Sequence, residues 1–255
     1  MKSHAGHILR VALSPVDPSK KSINILRVFP EAFCVWSLLL FTPPLVKAMH
    51  LARDPLVTTW QGTVPQMVFA MPLALIVIAH GIHRLKHGPR RRAIILSLVG
   101  SSVILGIQAN HIGVNALELS NSFAASDCQS PLEKHKLEKS WQEAQKFRVQ
   151  CPLTKEHLIQ RCPGYETAEA KSPDWKFLRE LEQRYTCAGW CEPHMPLWTF
   201  HTGRDSCSDV VAQVLAIKVT RDSMQVVIYS MTILAFSIIT VISLGPSIRE
   251  RGIEW

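Results

Sequence analysis

The sequence predicts an all-α integral membrane protein: a bundle of four membrane-spanning helices with a large, disulfide-bonded, mainly helical extracytoplasmic loop between spans three and four. Three observations carry that prediction. Asp, Glu, Lys and Arg are absent from 93–117 and again from 223–248, and about 20 mostly apolar residues suffice for a helix to cross a bilayer. Two further apolar runs, 28–49 and 64–84, precede these. Between the charge-free runs, Glu118 to Asp222 carries 14 Lys/Arg and 15 Asp/Glu together with six of the seven cysteines. That stretch faces water and is long enough for a core of its own.

Residues 1–27 form a polar segment with Lys2, Arg10, Lys20, Lys21 and Arg27 against the single acid Asp17. Span one, 28–49, contains Glu31, Lys47 and Pro43-Pro44. Its apolar centre is short enough for a re-entrant segment or a signal-peptide core. The long polar leader and the lack of an Ala-x-Ala-like cleavage site favour a retained span. A small outer loop, 50–63, leads to span two, 64–84. The turn at 85–92 is basic, with Lys86, Arg90, Arg91 and Arg92 following Arg84 at the end of span two. Span three is 93–117, the large loop 118–222, span four 223–248 and the tail 249–255. Lys/Arg-rich flanks lie on the cytoplasmic side, which places both termini there and both loops opposite. The net charge of +8 is thus a topology signal, and nucleic acid is not an expected partner, because the large polar loop is nearly neutral.

Cysteine usage agrees with that sidedness. Disulfides persist in oxidising compartments, and Cys128, Cys151, Cys162, Cys187, Cys191 and Cys207 all fall in the large loop. Within it, Ser130-Pro131-Leu132-Glu133 reads as a capping box opening a helix. Leu137, Trp141, Ala144 and Phe147 then form its buried face. Ser172-Pro173-Asp174-Trp175 opens a second helix with Leu178, Leu181 and Tyr185 inward and Arg179, Glu180, Glu182 and Arg184 in water. Cys187 to Pro196 is rich in turn formers. Ser208-Asp209 is read as the cap of a third helix, carrying Val210, Val214 and Ile217 into span four. No strand or repeat is predicted.

Few groups suggest chemistry. Gln108, Asn110, His111 and Asn115 on span three are expected to turn toward the bundle and hydrogen-bond there. Small residues Ser97, Gly100, Ser101 and Gly106 permit close helix approach. His80, His83 and His87 share a helical face, but ligating histidines normally have a second-shell acceptor and the sequence shows no carboxylate beside them. Cys187, Cys191, His194, His201 and Cys207 could be assembled into a zinc site, yet an oxidising compartment favours disulfides. No metal and no cofactor are expected. Cys34 is a candidate acyl acceptor near the cytoplasmic end of span one, with a small buried apolar residue as the alternative. No Asn-x-Ser/Thr acceptor, phosphate loop, zincin helix or carboxylate pair occurs, so no enzymatic activity is predicted and the catalytic set is empty.

The four spans, two cytoplasmic termini, short first loop, short basic turn and large cysteine-bearing loop together resemble the tetraspanin family. Tetraspanins carry Cys-Cys-Gly after a helix in the large loop. Here Leu178 to Tyr185 keeps the helix, and Cys187-Ala188-Gly189-Trp190-Cys191 keeps the first Cys and the Gly, with Ala188 in place of the second Cys. Cys191 is a candidate for the missing thiol, and Cys207 resembles the family's last loop cysteine. The resemblance implies that Cys187 or Cys191 pairs with Cys207, although six cysteines allow 15 connectivities. It implies a scaffold in the plasma membrane or an endomembrane. Such a scaffold organises other membrane proteins laterally, contacts lipid, sterol included, and self-associates. Tyr185, Trp190, Trp198 and Phe200 are then the candidate aromatic anchors for partners, with the loop's own small core as the commoner fate of any one of them. Two other readings compete: an accessory subunit of an organellar, mitochondrial-type membrane complex, suggested by the Lys/Arg- and Ser-containing leader, and a transporter or channel.

Overall fold

The computed structural model describes residues 18–85, 90–130, 132–151, 158–201 and 203–249, with side chains described between 30 and 243. Ten α-helices make up the regular structure among them, and no strand occurs. They are α1 (Pro18–Ala52), α2 (Pro55–Gln61), α3 (Val64–Leu85), α4 (Arg91–Ile95), α5 (Ser101–Ala124), α6 (Leu132–Gln150), α7 (Tyr165–Lys171), α8 (Asp174–Tyr185), α9 (Cys207–Gln213) and α10 (Thr220–Arg249). π-helical turns at Leu96–Gly100 and Val214–Val219 join α4 to α5 and α9 to α10. Four stretches are long and apolar enough to cross a membrane: Pro30–Ala52, Val64–Leu85, Arg91–Ala124 and Cys207–Ser243. The leader residues Lys2, Arg10 and Asp17, together with Lys86, His87, Pro131 and the tail beyond Arg249, lie outside the described residues. Lys20, Lys21 and Arg27 continue α1 toward its start, ten residues before the expected span. α1 also runs through Pro43-Pro44 without ending, as helices in apolar surroundings can when neighbours accommodate the lost hydrogen bonds.

The chain divides into two compact units. The first comprises the described parts of 1–43, 70–104 and 230–255. Its interior mixes apolar side chains such as Phe41, Ile76 and Leu98 with small polar ones, while many large apolar side chains face outward. Ser37, Ser97, Ser101, Ser230 and Ser237 are buried, while Val35, Trp36, Leu39, Val77, Ile78 and Ile239 are exposed. Lipid is as apolar as leucine, so large side chains gain nothing by turning inward, and small residues let helix backbones approach. Ser97 and Ser237 return their hydroxyl protons to helix carbonyls at Ile94 and Ile233, at 3.2 and 2.7 Å. The Cβ position of Gly100 meets Leu75 at 3.6 Å. Glu31 of α1 contacts Arg84 at 3.3 Å and His80 Nε2 at 3.7 Å.

The second unit comprises 44–69 and 105–229. Here α5 and α10 cross so closely at Gly113 that any Cβ there would collide with the Ser223 side chain. Asp54 caps α2 by accepting the Leu56 N–H at 3.0 Å, and its second oxygen takes Lys218 Nζ at 2.9 Å. Lys47 and Asp222 add an ion pair at 3.6 Å. The end of α5 is closed by an element absent from the sequence reading. The ammonium of Lys134, 3% exposed, donates to the carbonyls of Phe123 and Ala125 at 2.9 and 2.6 Å. A cation on the last carbonyls satisfies orphan acceptors and complements the helix dipole. Trp60, Phe123, Phe177 and Trp190 form a chain of ring contacts 5.3–5.5 Å apart, which ties the short 50–63 connection to the large one.

The large connection is helical and cross-linked. α6 buries Leu137, Trp141 and Ala144 as its period predicts, and Lys134 with them. α8 starts at Asp174, not with a serine cap: the Ser172 carbonyl accepts the Trp175 N–H, and Asp174 instead holds Ser140 and Lys136 of α6. α9 is capped by Ser206 and not by Ser208-Asp209. The Ser206 hydroxyl accepts the Asp209 N–H and donates to its carboxylate, a reciprocal cap two residues earlier than expected. The inward face of this helix is Val211, Ala212, Leu215 and Val219, leaving Ile217 exposed. The bridges are Cys128–Cys191, Cys151–Cys162 and Cys187–Cys207, and Cys34 is free and partly exposed. An intact-protein maleimide count is therefore expected to give one labelled thiol under denaturing conditions without reductant and seven after reduction. More than one label without reductant would contradict this framework.

Candidate interaction surface of the large connection

The described residues of 186–206, between α8 and α9, contain no helix or strand, yet they are held at many points. Thr186 and Gly189 adopt positive φ, at 52° and 80°. A side chain at Gly189 would run into the backbone of Glu192 and His194, and one at Gly203 into the Thr186 carbonyl. Two disulfides fasten the segment at Cys187 and Cys191. Glu138 of α6 accepts the Cys191 N–H at 3.0 Å, and the Trp190 indole donates to the Lys134 carbonyl at 2.9 Å. Arg148 donates to the Pro196 carbonyl at 2.7 Å. His194 stacks on Trp141 with centroids 4.9 Å apart.

The strongest anchor is Glu182. Its carboxylate, 1% exposed, accepts the N–H groups of Leu197, Trp198 and Thr199 at 3.1, 2.7 and 2.9 Å. Burial pushes its carboxyl above the ordinary value, and the three backbone donors pull only part of the way back. The sequence reading placed Glu182 in water; the structure corrects this. Beside it, the Trp198 indole donates to the Tyr165 hydroxyl at 2.9 Å, which donates to Glu169 at 3.0 Å. Arg179 closes the set on Glu169 at 2.7 Å. Burial is also the main cause that raises the Tyr165 phenol above its usual value.

Of the four aromatic anchors expected to face partners, Trp190 and Trp198 are buried. Each places its indole N–H on an internal acceptor and fills the core, so neither is available at the surface. Tyr185 is half-buried, its hydroxyl without a hydrogen-bond partner among the described residues. Burial, then the Asp54 carboxylate, raises its phenol. Phe200 is exposed, at 64%, and Met195, which sequence reasoning passed over, at 79%. Both project from the pinned segment.

The remaining candidates offer little chemistry. Cys187, Cys191 and Cys207 are oxidised, which removes them as zinc thiolates. Among the described residues one group of metal-type side chains converges, Cys128, Glu138 and Cys191; two of its members are joined in a disulfide. Asn110 and His111 do not turn into the bundle; both are exposed, and Asn115 lies 3.4 Å from the His111 ring. His80 does have a carboxylate nearby, Glu31, brought by span one, whose packing against span two is not readable from the sequence. A cavity of about 260 Å³ opens beside α2, α5 and the α9–α10 junction. Leu56, Val57, Ile112, Ala116, Leu215 and Val219 line its walls, with Gln61, Asn115 and Glu118 at the polar side. It can accept an apolar group, and Ser122 also lines it, its hydroxyl donating to the Glu118 carbonyl at 3.3 Å.

Compared with protein-family models, curated proteins and solved structures, the chain matches none.

Proposed function

We propose that this chain is a non-enzymatic, tetraspanin-like membrane scaffold whose large loop, on the extracytoplasmic side, captures partner proteins through residues 192–201. One observation carries the reading: an irregular segment held by two disulfides and a buried carboxylate presents Met195 and Phe200 to solvent. Holding a segment rigid lowers the ordering cost of association, and large exposed apolar side chains on such a platform are the usual energetic centres of an interface. The paired cysteines support an oxidising side for this loop, which with the basic turn supports cytoplasmic termini.

The test is quantitative cross-linking in intact cells with wild type and with the double variant Met195→Asp/Phe200→Asp. Loss of one anchor commonly costs about 2 kcal/mol, so neighbours captured through the large loop are expected to fall roughly tenfold or more. The seven-thiol count and surface delivery should stay unchanged, since both side chains are exposed. An unaltered set of cross-linked neighbours would remove the support for this surface.

A further inference from the structure

We propose that the cavity of the second unit binds a single-chain amphiphile whose headgroup donates hydrogen bonds, a long-chain amine or alcohol. Helix crossing creates the space. α5 meets the α9–α10 stretch at two places: Gly113 abuts Ser223, and the Ser120 hydroxyl donates to the Ala212 carbonyl at 2.8 Å. Between those contacts the facing chain is π-helical, at Val214–Val219, and Leu215 and Val219 of that turn line the cavity. Such turns are rare and frequently mark functional sites. Leu56 and Val57 of α2 supply another wall, set by the Asp54 cap on the Leu56 N–H.

The lining changes character along its length as a lipid does. Ile112 and Ala116 belong to the charge-free run 93–117, while Glu118 and Ser122 follow it. From Ile112 to Ser122 the helix rises about 15 Å. A chain beside Ile112 and Val219 therefore brings its head to Glu118 and Ser122, at the polar end of a stretch able to cross a bilayer. The volume of about 260 Å³ lies below the roughly 300–1,000 Å³ of sites that enclose a drug-sized ligand, which suits one alkyl chain better than a fused ring system. The head is selected by acceptors. Ser122 spends its proton on the Glu118 carbonyl at 3.3 Å and keeps its lone pairs. The Asn115 amide nitrogen lies 3.4 Å from the His111 ring, leaving the amide oxygen to accept, and an ionised Glu118 side chain only accepts. A hydroxyl or ammonium satisfies these groups. A carboxylate or phosphate meets the like charge of Glu118, which rejects it.

The inference is independent of residues 192–201 and is read on other variants. Full-length protein in phosphatidylcholine nanodiscs is irradiated with a long-chain primary amine carrying a diazirine in its chain, and the adducts are mapped by peptide mass spectrometry. Label is expected within 56–61, 112–122 or 215–219. Unlabelled amine or alcohol of the same chain should displace it, and the matching carboxylic acid should compete roughly tenfold more weakly. Ala116→Phe places a ring in the cavity and is expected to abolish the label. Because overpacking can disturb a fold, its thiol count, one before and seven after reduction, must match wild type. Glu118→Gln changes an exposed side chain and should bring the acid to within roughly twofold of the alcohol. Label elsewhere, or label that persists in a correctly folded Ala116→Phe protein, would overturn the site. An acid that competes as well as the alcohol in wild type, or a Glu118→Gln protein that still discriminates as wild type does, would overturn selection of the head. A sterol that displaces the probe better than the alkyl alcohol would overturn the assignment to a single chain.

Discussion

Replacing Cys128 and Cys191 by alanine is expected to be the most damaging loss of a bridge, lowering the stability of the large connection by about 4 kcal/mol. The bond closes a stretch of 63 residues that includes α6, α7 and α8, and in the chain-entropy account a cross-link restricts the unfolded chain more as the loop it closes grows. Cys187–Cys207 closes 20 residues and Cys151–Cys162 closes 11, for about 3 kcal/mol each by the same relation. The difference is reinforced locally. Cys191 sits between the buried Trp190 and the Glu138 hydrogen bond, so its release frees a point where the core and the irregular segment meet. For a domain of about 100 residues, a change of this size shifts the thermal midpoint by roughly 15 °C or more. Tryptophan emission reports it, because Trp141, Trp175, Trp190 and Trp198 are all buried. The variant lacking Cys128 and Cys191 should melt first. If the variant lacking Cys151 and Cys162 melts before it, loop closure is not what these bonds supply.

How far the sequence reaches depends on whether a feature is local. The four spans are legible because long charge-free runs require nothing from the rest of the chain. α6 and α8 are legible because their apolar residues keep a 3.6 period. The buried charges were missed for want of partners: the acceptors of Lys134 and the donors to Glu182 are backbone groups of distant segments. A signal was nevertheless present. Lys134 stands in phase with Leu137, Trp141 and Ala144, and Glu182 with Trp175 and Leu178, each a charged residue on its helix's apolar face. At 210–219 the apolar residues are nearly continuous, so the sequence defines no phase there, and the buried set Val211, Ala212, Leu215 and Val219 is fixed by packing alone. Trp190 and Trp198 show the other limit. Composition marks an aromatic as energetically important without saying whether it serves a core or an interface. The difference is decided by Lys134 and Tyr165, which supply internal acceptors for the two indoles.

Glu182→Ala is expected to cost about 3 kcal/mol or more and to release the presenting segment. Three backbone N–H groups lose their acceptor at once, and each buried donor left unpaired costs about 1–3 kcal/mol. Glu182→Gln should cost less, about 1–2 kcal/mol. The amide oxygen still accepts from Trp198 and Thr199, while the amide NH2 faces the Leu197 N–H, donor against donor. The pH dependence follows from burial. The folded carboxyl titrates above its ordinary value of 4.5, so the fold binds this proton more tightly than the unfolded chain does. Its contribution is then fully present below the unfolded value and is lost as pH rises through the folded value. Glutamine does not titrate, and the difference in thermal midpoint between wild type and Glu182→Gln cancels the other carboxylates. That difference should grow in favour of wild type as the pH is lowered from 7 toward 4.5. A difference that shrinks on acidification would mean that the three backbone donors, and not desolvation, dominate at this carboxylate. The same variants separate platform from contact. Glu182→Ala leaves Met195 and Phe200 in the sequence but lets their segment move, so cross-linked neighbours should fall nearly as far as in Met195→Asp/Phe200→Asp. Retention of those neighbours by a destabilised Glu182→Ala protein would show that partners do not read the held conformation of residues 192–201.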